Sequence, residues 1–518
     1  MSSEIRSKDI RSRVEHETVT GLDHWQIGQL PKPPIVTGLG MLGIIGPGVI
    51  ILGVSIGSSE WLLGPAAFVK YGLSLLWVTT VAIILQTVFN TELIRYTMYA
   101  GEPALTGFMR TRPSSTFWAV LYSLFYFLQV GWPGWAGASA GAIFFLFVGR
   151  QADAFDSNTV YWIGNATYLA CIMILLVGTR IERTLEILNW ILVVFILGGL
   201  ALLCIFLVSP GTWLQAAAGY IGFDPQKGQF NFFPPGVDWF LIGAFAAYSG
   251  AGGVVNLMVS NWARDKGFGM GKVAGYIPAA IGGRKIRLAH SGSIFPLTKQ
   301  SLADWKSWWR IVSIDQWAIF CVGSFLAMGL PAILYVSYIQ PGTDIRGLSI
   351  AAELASSMTA QGKAVLAFQV ALMGAWLLFK TQIDIVEGMV RAITDMLWTG
   401  SRRVREWQNG DVRYVYYSIL ALVVVWGLIA LRLTQPIILL QLGANMAGIV
   451  LVISSLHILH VNTTLLPKEI QPPLWRRAAL VLLAVFYGFF VYLWLMGGLT
   501  PDVEQGFLFK FFQYITGG

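Results

Sequence analysis

The sequence predicts an all-α membrane protein: eleven transmembrane helices arranged as two inverted repeats of five with one helix added. Three observations predict it. Of 518 residues, 55% are hydrophobic and only 12% charged, where a soluble domain carries roughly 25% charged residues. Apolar runs about 20 residues long recur along the chain, with basic residues concentrated in every second connection. Two of those runs, five apart in order, are interrupted by clusters of small residues at their centres.

A helix rising ~1.5 Å per residue needs about 20 apolar residues to cross ~30 Å of hydrocarbon. Runs of that kind lie near 39–69, 73–99, 116–149, 159–179, 184–208, 237–262, 311–339, 364–397, 414–432, 435–462 and 474–497, here called segments 1 to 11. No alternating ten-residue pattern marks a barrel, so helices are the spanning form. With the N-terminus inside, the cytoplasmic connections hold 25 Lys and Arg: five before residue 33, then Arg110, Arg112, Arg180 and Arg183, nine from Arg264 to Arg310, four from Arg402 to Arg413, and Lys468, Arg476 and Arg477. The opposite side holds seven, and Arg95, Lys380 and Arg391 fall within segments. A missed or invented helix would scramble this alternation.

The organisation follows. Residues 1–36 form a cytoplasmic N-terminal segment without the apolar stretch of a signal peptide. Residues 37–208 carry the first repeat, 209–236 an extracellular loop, 237–462 the second repeat with a cytoplasmic loop at 263–310, and 463–518 the last helix and a tail. Loop 209–236 reads as an amphipathic turn of helix and an aromatic-rich stretch. The expected location is a multi-pass plasma membrane protein whose partners are the bilayer and a small cation or solute. The net charge of +8 sits in short loops between apolar runs, which excludes nucleic acid as a partner. Oligomeric state leaves no signal. Cys171, Cys204 and Cys321 lie in apolar runs without paired spacing, so neither disulfides nor metal clips are expected. "GMGKVAG" in loop 263–310 lacks the Ser/Thr and preceding strand of a phosphate-binding loop. No hydrolytic constellation and no resident cofactor are predicted, so the chain is not read as an enzyme.

Segment 1 divides at Gly57-Ser58-Ser59-Glu60, and segment 6 carries Ser249-Gly250-Ala251-Gly252-Gly253 at its centre. Glycine costs about 1 kcal/mol at a helix-interior position. Unwound backbone at bilayer depth survives only when buried in protein or lining a wet cavity. Discontinuous helices at matching places in two halves point to a transporter's substrate site; close helix packing through small residues is the plainer account of the same pattern. Glu60 sharpens the choice, because a charge at helix centre costs about 2.5–3.5 kcal/mol on insertion scales. Segment 8 holds Lys380/Asp384 and Glu387/Arg391 as i,i+4 pairs, readable as a coupling and gating network or as self-paired structural charges. Glu92 with Arg95 reads the same way. Gln86, Asn90, Gln129, Gln382 and Asn445 either line a path or bond between helices. His457 and His460 fall away from the interruptions.

From Gly46 the sequence "GPGVIILGVSIGSSEWLLGPAAFVKYGLSLLWV" resembles the first helix of the Nramp family of divalent-metal transporters. Gly46-Pro47-Gly48, Trp61, Tyr71-Gly72 and Leu75-Leu76-Trp77-Val78 fall in register with that family's pattern. Leu85–Arg110 resembles its second helix and the following turn, and "NTTLLPKEIQP" the end of its tenth. The resemblance implies a LeuT-like fold with substrate between segments 1 and 6. The departures are chemical. Where the family reads Asp-Pro-Gly-Asn, this chain has Gly57, Ser58, Ser59 and Glu60, and where it reads Met-Pro-His, this chain has Ala247, Tyr248 and Ser249. Segment 3 carries no acid. The chain is thus similar to a divergent member without the family's metal-binding motifs.

The predicted substrate site is therefore Gly57, Ser58, Ser59, Glu60, Ala247, Tyr248, Ser249 and Asn256, with Glu60 as the one charged metal ligand and Asp384 and Glu387 as coupling or gating residues. Its oxygens suit a hard divalent cation such as magnesium, moved by alternating access, as a symporter. Two other readings fit the same residues: transport of a carboxylate-bearing solute such as an amino acid on exposed half-helix N-termini, and a non-transporting membrane sensor that signals through loop 263–310.

Overall fold

The computed structural model describes residues 21–497 apart from 35–42, 44, 58, 177–180, 276–288, 290, 348–349 and 434–435. Ser58, most of the predicted N-terminal segment, the tail and the middle of loop 263–310 lie outside the described residues. Among the described residues, ten helical stretches are long and apolar enough to cross a membrane: Pro47–Tyr71, Leu73–Ala100, Ser115–Val148, Ala154–Leu176, Leu185–Leu207, Lys299–Tyr338, Ala364–Gly400, Val412–Ala430, Pro436–Thr464 and Leu474–Met496. They coincide with predicted segments 1–5 and 7–11. Segment 6 is two shorter helices, Trp239–Tyr248 and Val254–Lys266, each too short to span by itself.

Two expectations need correction. Segment 3 is not one rod: it ends at Val130 and restarts at Gly134, leaving Gly131-Trp132-Pro133 between. Pro133 has no N–H to continue the ladder, and because the tripeptide is itself nearly apolar, the hydrophobic run conceals the break. Loop 263–310 is not all loop either. Helix Lys299–Ser313 runs on through a widened turn, Ile314–Cys321, into Val322–Tyr338. Thr298 accepts from the Ser301 amide at 3.1 Å to cap its start. This extension buries Trp305, Trp308, Ile311 and Val312 while Lys299, Lys306 and Arg310 stay exposed. An amphipathic helix of that kind escapes a search for apolar runs. Residues 209–236 form helix Pro210–Gly219 and an antiparallel pair, Phe223–Asp224 with Gln229–Phe230.

The Gly-Pro-Gly that opens segment 1 has a physical reason. Pro47 occupies the first helical position, where a missing N–H costs nothing. The two amides around it, Gly46 and Gly48, donate to the Asp315 carboxylate of segment 7 at 3.0 and 2.8 Å. Gly48 also lets segment 7 approach, since a Cβ there would lie 2.1 Å from the Asp315 carbonyl oxygen.

At the end of the bundle rich in Lys and Arg, hereafter the basic end, Glu102 gathers four parts of the chain. Its carboxylate accepts from Trp25 Nε1 (3.0 Å), Tyr96 Oη (2.6 Å), the Gly292 amide (2.7 Å) and Arg110 Nε and Nη2 (2.9 and 2.5 Å). Residues 21–34 are thereby strapped across the bundle, and Gln26–Ile27 pairs in parallel with Ser293–Ile294. Burial pushes the Glu102 carboxyl up, but the Arg110 charge and the donated bonds outweigh it and hold it below the usual carboxylate range.

Gly48→Ala is expected to lower Tm in detergent, because a fixed backbone blocks the new methyl. Gly198→Ala, whose Cβ meets nothing within 4 Å, is expected to be neutral or to raise stability by about 1 kcal/mol; equal losses in both would refute the close-approach account. For Glu102 the depressed pKa means stabilisation above the unfolded value of about 4.3, lost as pH falls through the lower folded value. The Tm advantage of the native chain over Glu102→Gln is therefore expected at pH 7 and should shrink below about pH 4.

Candidate binding site at the two interrupted helices

Segment 1 runs helically from Pro47 to Ile56, breaks at Gly57, and resumes through a widened turn, Ser59–Leu63, into helix Gly64–Tyr71. Gly57 is where segment 8 presses in: a Cβ there would lie 2.0 Å from Thr381 Oγ1. One turn earlier, a Cβ on Gly53 would lie 1.5 Å from Asn189 Oδ1 and 3.2 Å from Lys380 Nζ. Segment 6 stops at Tyr248. Gly250, Gly252 and Gly253 then take φ of +99°, +85° and +57°, a backbone that residues with a Cβ rarely adopt, before Val254 restarts the helix.

Stripped of helical bonds, the segment 6 break is satisfied by two glutamines. Gln86 Oε1 accepts from the Ala251 and Gly252 amides at 2.9 and 3.0 Å, while its Nε2 donates to the Ser249 carbonyl at 2.8 Å and to Tyr487 Oη at 2.5 Å. Gln129 Oε1 accepts from the Val254 amide at 2.9 Å, and its Nε2 donates to the Gly252 carbonyl at 2.9 Å. Of the two roles open to these residues in the sequence, bonding between helices is the one observed. Gln382 and Asn445 do likewise, accepting from the Ala136 amide and donating to the Phe240 carbonyl.

The two interruptions meet. Ser59 Oγ and Ser249 Oγ both donate to the Phe245 carbonyl, at 3.2 and 2.8 Å. Thr79 Oγ1 stands 3.4 Å from Ser249 Oγ. Glu60 is fully buried, with the backbone of Glu60, Gly250 and Ser59 beside its carboxylate, and among the described residues no side chain donates to it or pairs with its charge. Ser59, Glu60 and Ser249 are thus brought together. The rest of the predicted set is not joined to them. Tyr248 stacks on Trp135 at 6.2 Å, with its hydroxyl toward Gly443 of segment 10. Asn256 lies a turn into the second half-helix and donates to Asn90 Oδ1 at 2.8 Å. Ala247 contributes no polar side chain. Ala247, Tyr248 and Ser249 stand where the resembled family reads Met-Pro-His, but the backbone turns at the break and sends these side chains, and Asn256 beyond it, to different neighbours.

Asp384 and Glu387 belong to two separate buried networks. Asp384 pairs with Lys380 and receives Asn189 Nδ2, facing the first half of segment 1. Glu387 pairs with Arg391, which also binds Asp265, and receives Trp262 Nε1 at 3.3 Å. Arg264 then bridges Asp265 and Asp395 at 2.7 and 2.8 Å, locking the second half of segment 6 to segment 8. Asn189, Thr381, Asp265 and Asp315 went unread in the sequence; the acids and Asn189 carry an intramembrane-polar signal, but nothing in one sequence says which helix they face. His457 is stacked on Phe108 at 4.2 Å, away from the site. Cys171, Cys204 and Cys321 are buried and free. Among the described residues no group of three or more His, Cys, Asp or Glu is placed to hold a metal.

No known sequence family and no curated protein matches the chain. Its structure, however, is similar to crystal structures of a manganese transporter from Eremococcus coleocola. A single-residue mutant of that protein matches with TM-score 0.65 at 12% identity, covering 95% of this chain and 94% of that one. A second form, in complex with an aromatic bis-isothiourea compound, matches with TM-score 0.58 at 14% identity over 91% of each chain. At such identities the likeness establishes the fold.

Replacing Gln86 or Gln129 by Leu should cost about 1–3 kcal/mol for each buried backbone group left unpaired. Hydrogen exchange should accelerate at Ala251 and Gly252 in Gln86→Leu and at Val254 in Gln129→Leu. Unchanged exchange at those amides would show that the glutamines do not hold the break.

Proposed function

We propose that the chain is a secondary active transporter that moves a divalent cation across the plasma membrane by alternating access. The observation that carries this reading is Glu60. A fully buried carboxylate with no counter-charge and no side-chain donor among the described residues, in the widened turn after the break of one helix and against the break of another, is costly to keep unless something positive visits it. The fold likeness to a manganese transporter supports the same class.

In this reading eleven helices, segment 6 counted as one, cross the membrane from a cytoplasmic N-terminus. Residues 37–208 and 237–462 are the two inverted repeats of a LeuT-like bundle. Glu60, Ser59, Ser249 and nearby carbonyls offer oxygen only, which suits a hard cation such as magnesium that keeps part of its water shell. Soft ligands that would select a transition metal are missing from these positions. An amino acid carboxylate is less well served, because the amides of Ala251, Gly252 and Val254 at the break are already bound by Gln86 and Gln129. Since Ser59, Glu60 and Ser249 are all fully buried, entry requires the halves of segments 1 and 6 to part. The networks of Asp384 and Glu387 hold the halves at the basic end. At the other end Arg346 binds Asp238 and Asp344 (2.6 and 2.5 Å), and Asp344 binds Lys70 at 3.0 Å. Releasing either set would open one side.

The test is flux in proteoliposomes against a panel of divalent cations and amino acids, with Glu60→Gln beside the native chain. Loss of the charged contact should cut cation flux roughly ten- to hundredfold, the equivalent of about 1.5–3 kcal/mol, without loss of folding. Flux unchanged in Glu60→Gln would remove the carboxylate from the mechanism. Amino acid flux without cation flux would overturn the substrate class, and no flux of any solute would favour a sensor.

A further inference from the structure

At the basic end, remote from the interruptions, a cavity of about 410 Å³ is lined by three cations, Arg95, Lys306 and Arg476, and three indoles, Trp305, Trp309 and Trp475. It lies where helix Lys299–Ser313 meets the end of segment 2 and the start of segment 11. The interior of its wall is built from Glu92. That carboxylate receives Arg95 Nε and Nη2 at 2.7 and 3.1 Å and Arg476 Nη1 at 3.1 Å. Trp309 lies under both guanidiniums, 4.0 Å from Arg95 and 4.9 Å from Arg476. Two arginines thus share one acid, and Arg95 makes a further bond from Nη1 to the Ile470 carbonyl at 2.8 Å.

What remains is a set of unused donors. Arg476 is only 6% exposed and uses Nη1 alone, on Thr91 Oγ1 and Glu92. Among the described residues its Nε and Nη2, the Lys306 ammonium and the three indole N–H groups have no acceptor. One acceptor faces them, Glu469 on the exposed rim. The position sets the depth. Arg95 stands in the last turns of Leu76–Ala100 and Arg476 in the first turn of Leu474–Gly497, while Leu474 and Trp475 beside it are 81% and 54% exposed. Tryptophan and basic residues at the ends of apolar helices mark the headgroup layer, where basic pockets between helices take anionic lipid headgroups.

We propose that this cavity binds the headgroup of an anionic phospholipid. Lys306, Arg476 and the indole N–H groups hold the phosphodiester oxygens. Glu469 accepts from headgroup hydroxyls, which favours a glycerol headgroup over a choline one. The acyl chains leave along Leu474 and Trp475. The bound lipid ties helix Lys299–Ser313 to segment 11, and the inference does not depend on what the chain transports.

Native mass spectrometry of the full chain in detergent, titrated with phosphatidylglycerol or phosphatidylcholine, tests it. Phosphatidylglycerol should be retained at one site in preference to phosphatidylcholine. Lys306→Gln should weaken that retention about fivefold, the share of one basic residue near a membrane surface. Lys306 is exposed and without a partner among the described residues, so its loss should leave Tm unchanged; Arg476→Gln gives a second variant, read against its own Tm. Equal retention of the two lipids, or retention unchanged in Lys306→Gln, would overturn the proposal. Displacement of phosphatidylglycerol by inorganic phosphate at matching concentration would also overturn it, showing a site for free phosphate instead of lipid.

Discussion

Unwound peptide has no water to turn to in the middle of a bilayer, and the whole arrangement follows from how that demand is met. Each unpaired amide or carbonyl in hydrocarbon costs several kcal/mol, yet segment 6 leaves residues 249–253 outside any helix. Gln86 and Gln129 answer with both ends of their amides, donor and acceptor, so the Ala251, Gly252 and Val254 amides and the Ser249 and Gly252 carbonyls are bonded to segments 2 and 3. A side-chain amide is suited to this because it copies the peptide group it replaces.

Buried charge is handled by a related rule, with one departure. Glu92, Asp265, Asp384, Glu387 and Asp395 each sit against a lysine or arginine, and Asp315 caps two helix amides. Breaking such a pair is costly because the remaining charge stays buried. Against that background Glu60 stands out as the carboxylate for which the described residues supply no counter-charge and no side-chain donor, only the backbone of Ser59, Glu60 and Gly250 beside it. Among the described residues this sets Glu60 apart from the paired acids that brace the bundle.

Much of the bundle was legible in the sequence because membrane helices announce themselves by length and apolarity, and both interruptions because glycine runs cannot be hidden in them. What escaped was of three kinds. The Gly131-Trp132-Pro133 break is spelled mostly in apolar letters, so it disappears inside a hydrophobic run. Helix Lys299–Ser313 is amphipathic and too charged for a search tuned to hydrocarbon. The meeting of Ser59, Glu60 and Ser249 was legible, but not the surroundings of Tyr248 and Asn256, whose direction depends on a turn that no periodicity encodes. The work of Gln86 and Gln129 was visible only as polar residues in apolar helices; which backbone they reach is a property of tertiary packing.

Gly48, Gly53 and Gly57 give the first half of segment 1 an unusual texture. At these three places it meets segments 7, 5 and 8 through bare main chain against Asp315, Asn189 and Thr381, with no side chain of its own meshed between theirs. Interlocked knobs resist sliding, because every step demands new rotamers all round; smooth backbone against small polar groups does not. At those three points the half-helix bears on its neighbours like a shaft in bearings, held in place by the caps at its start, while Leu52 is a tooth that meshes with segment 7 at Gly323.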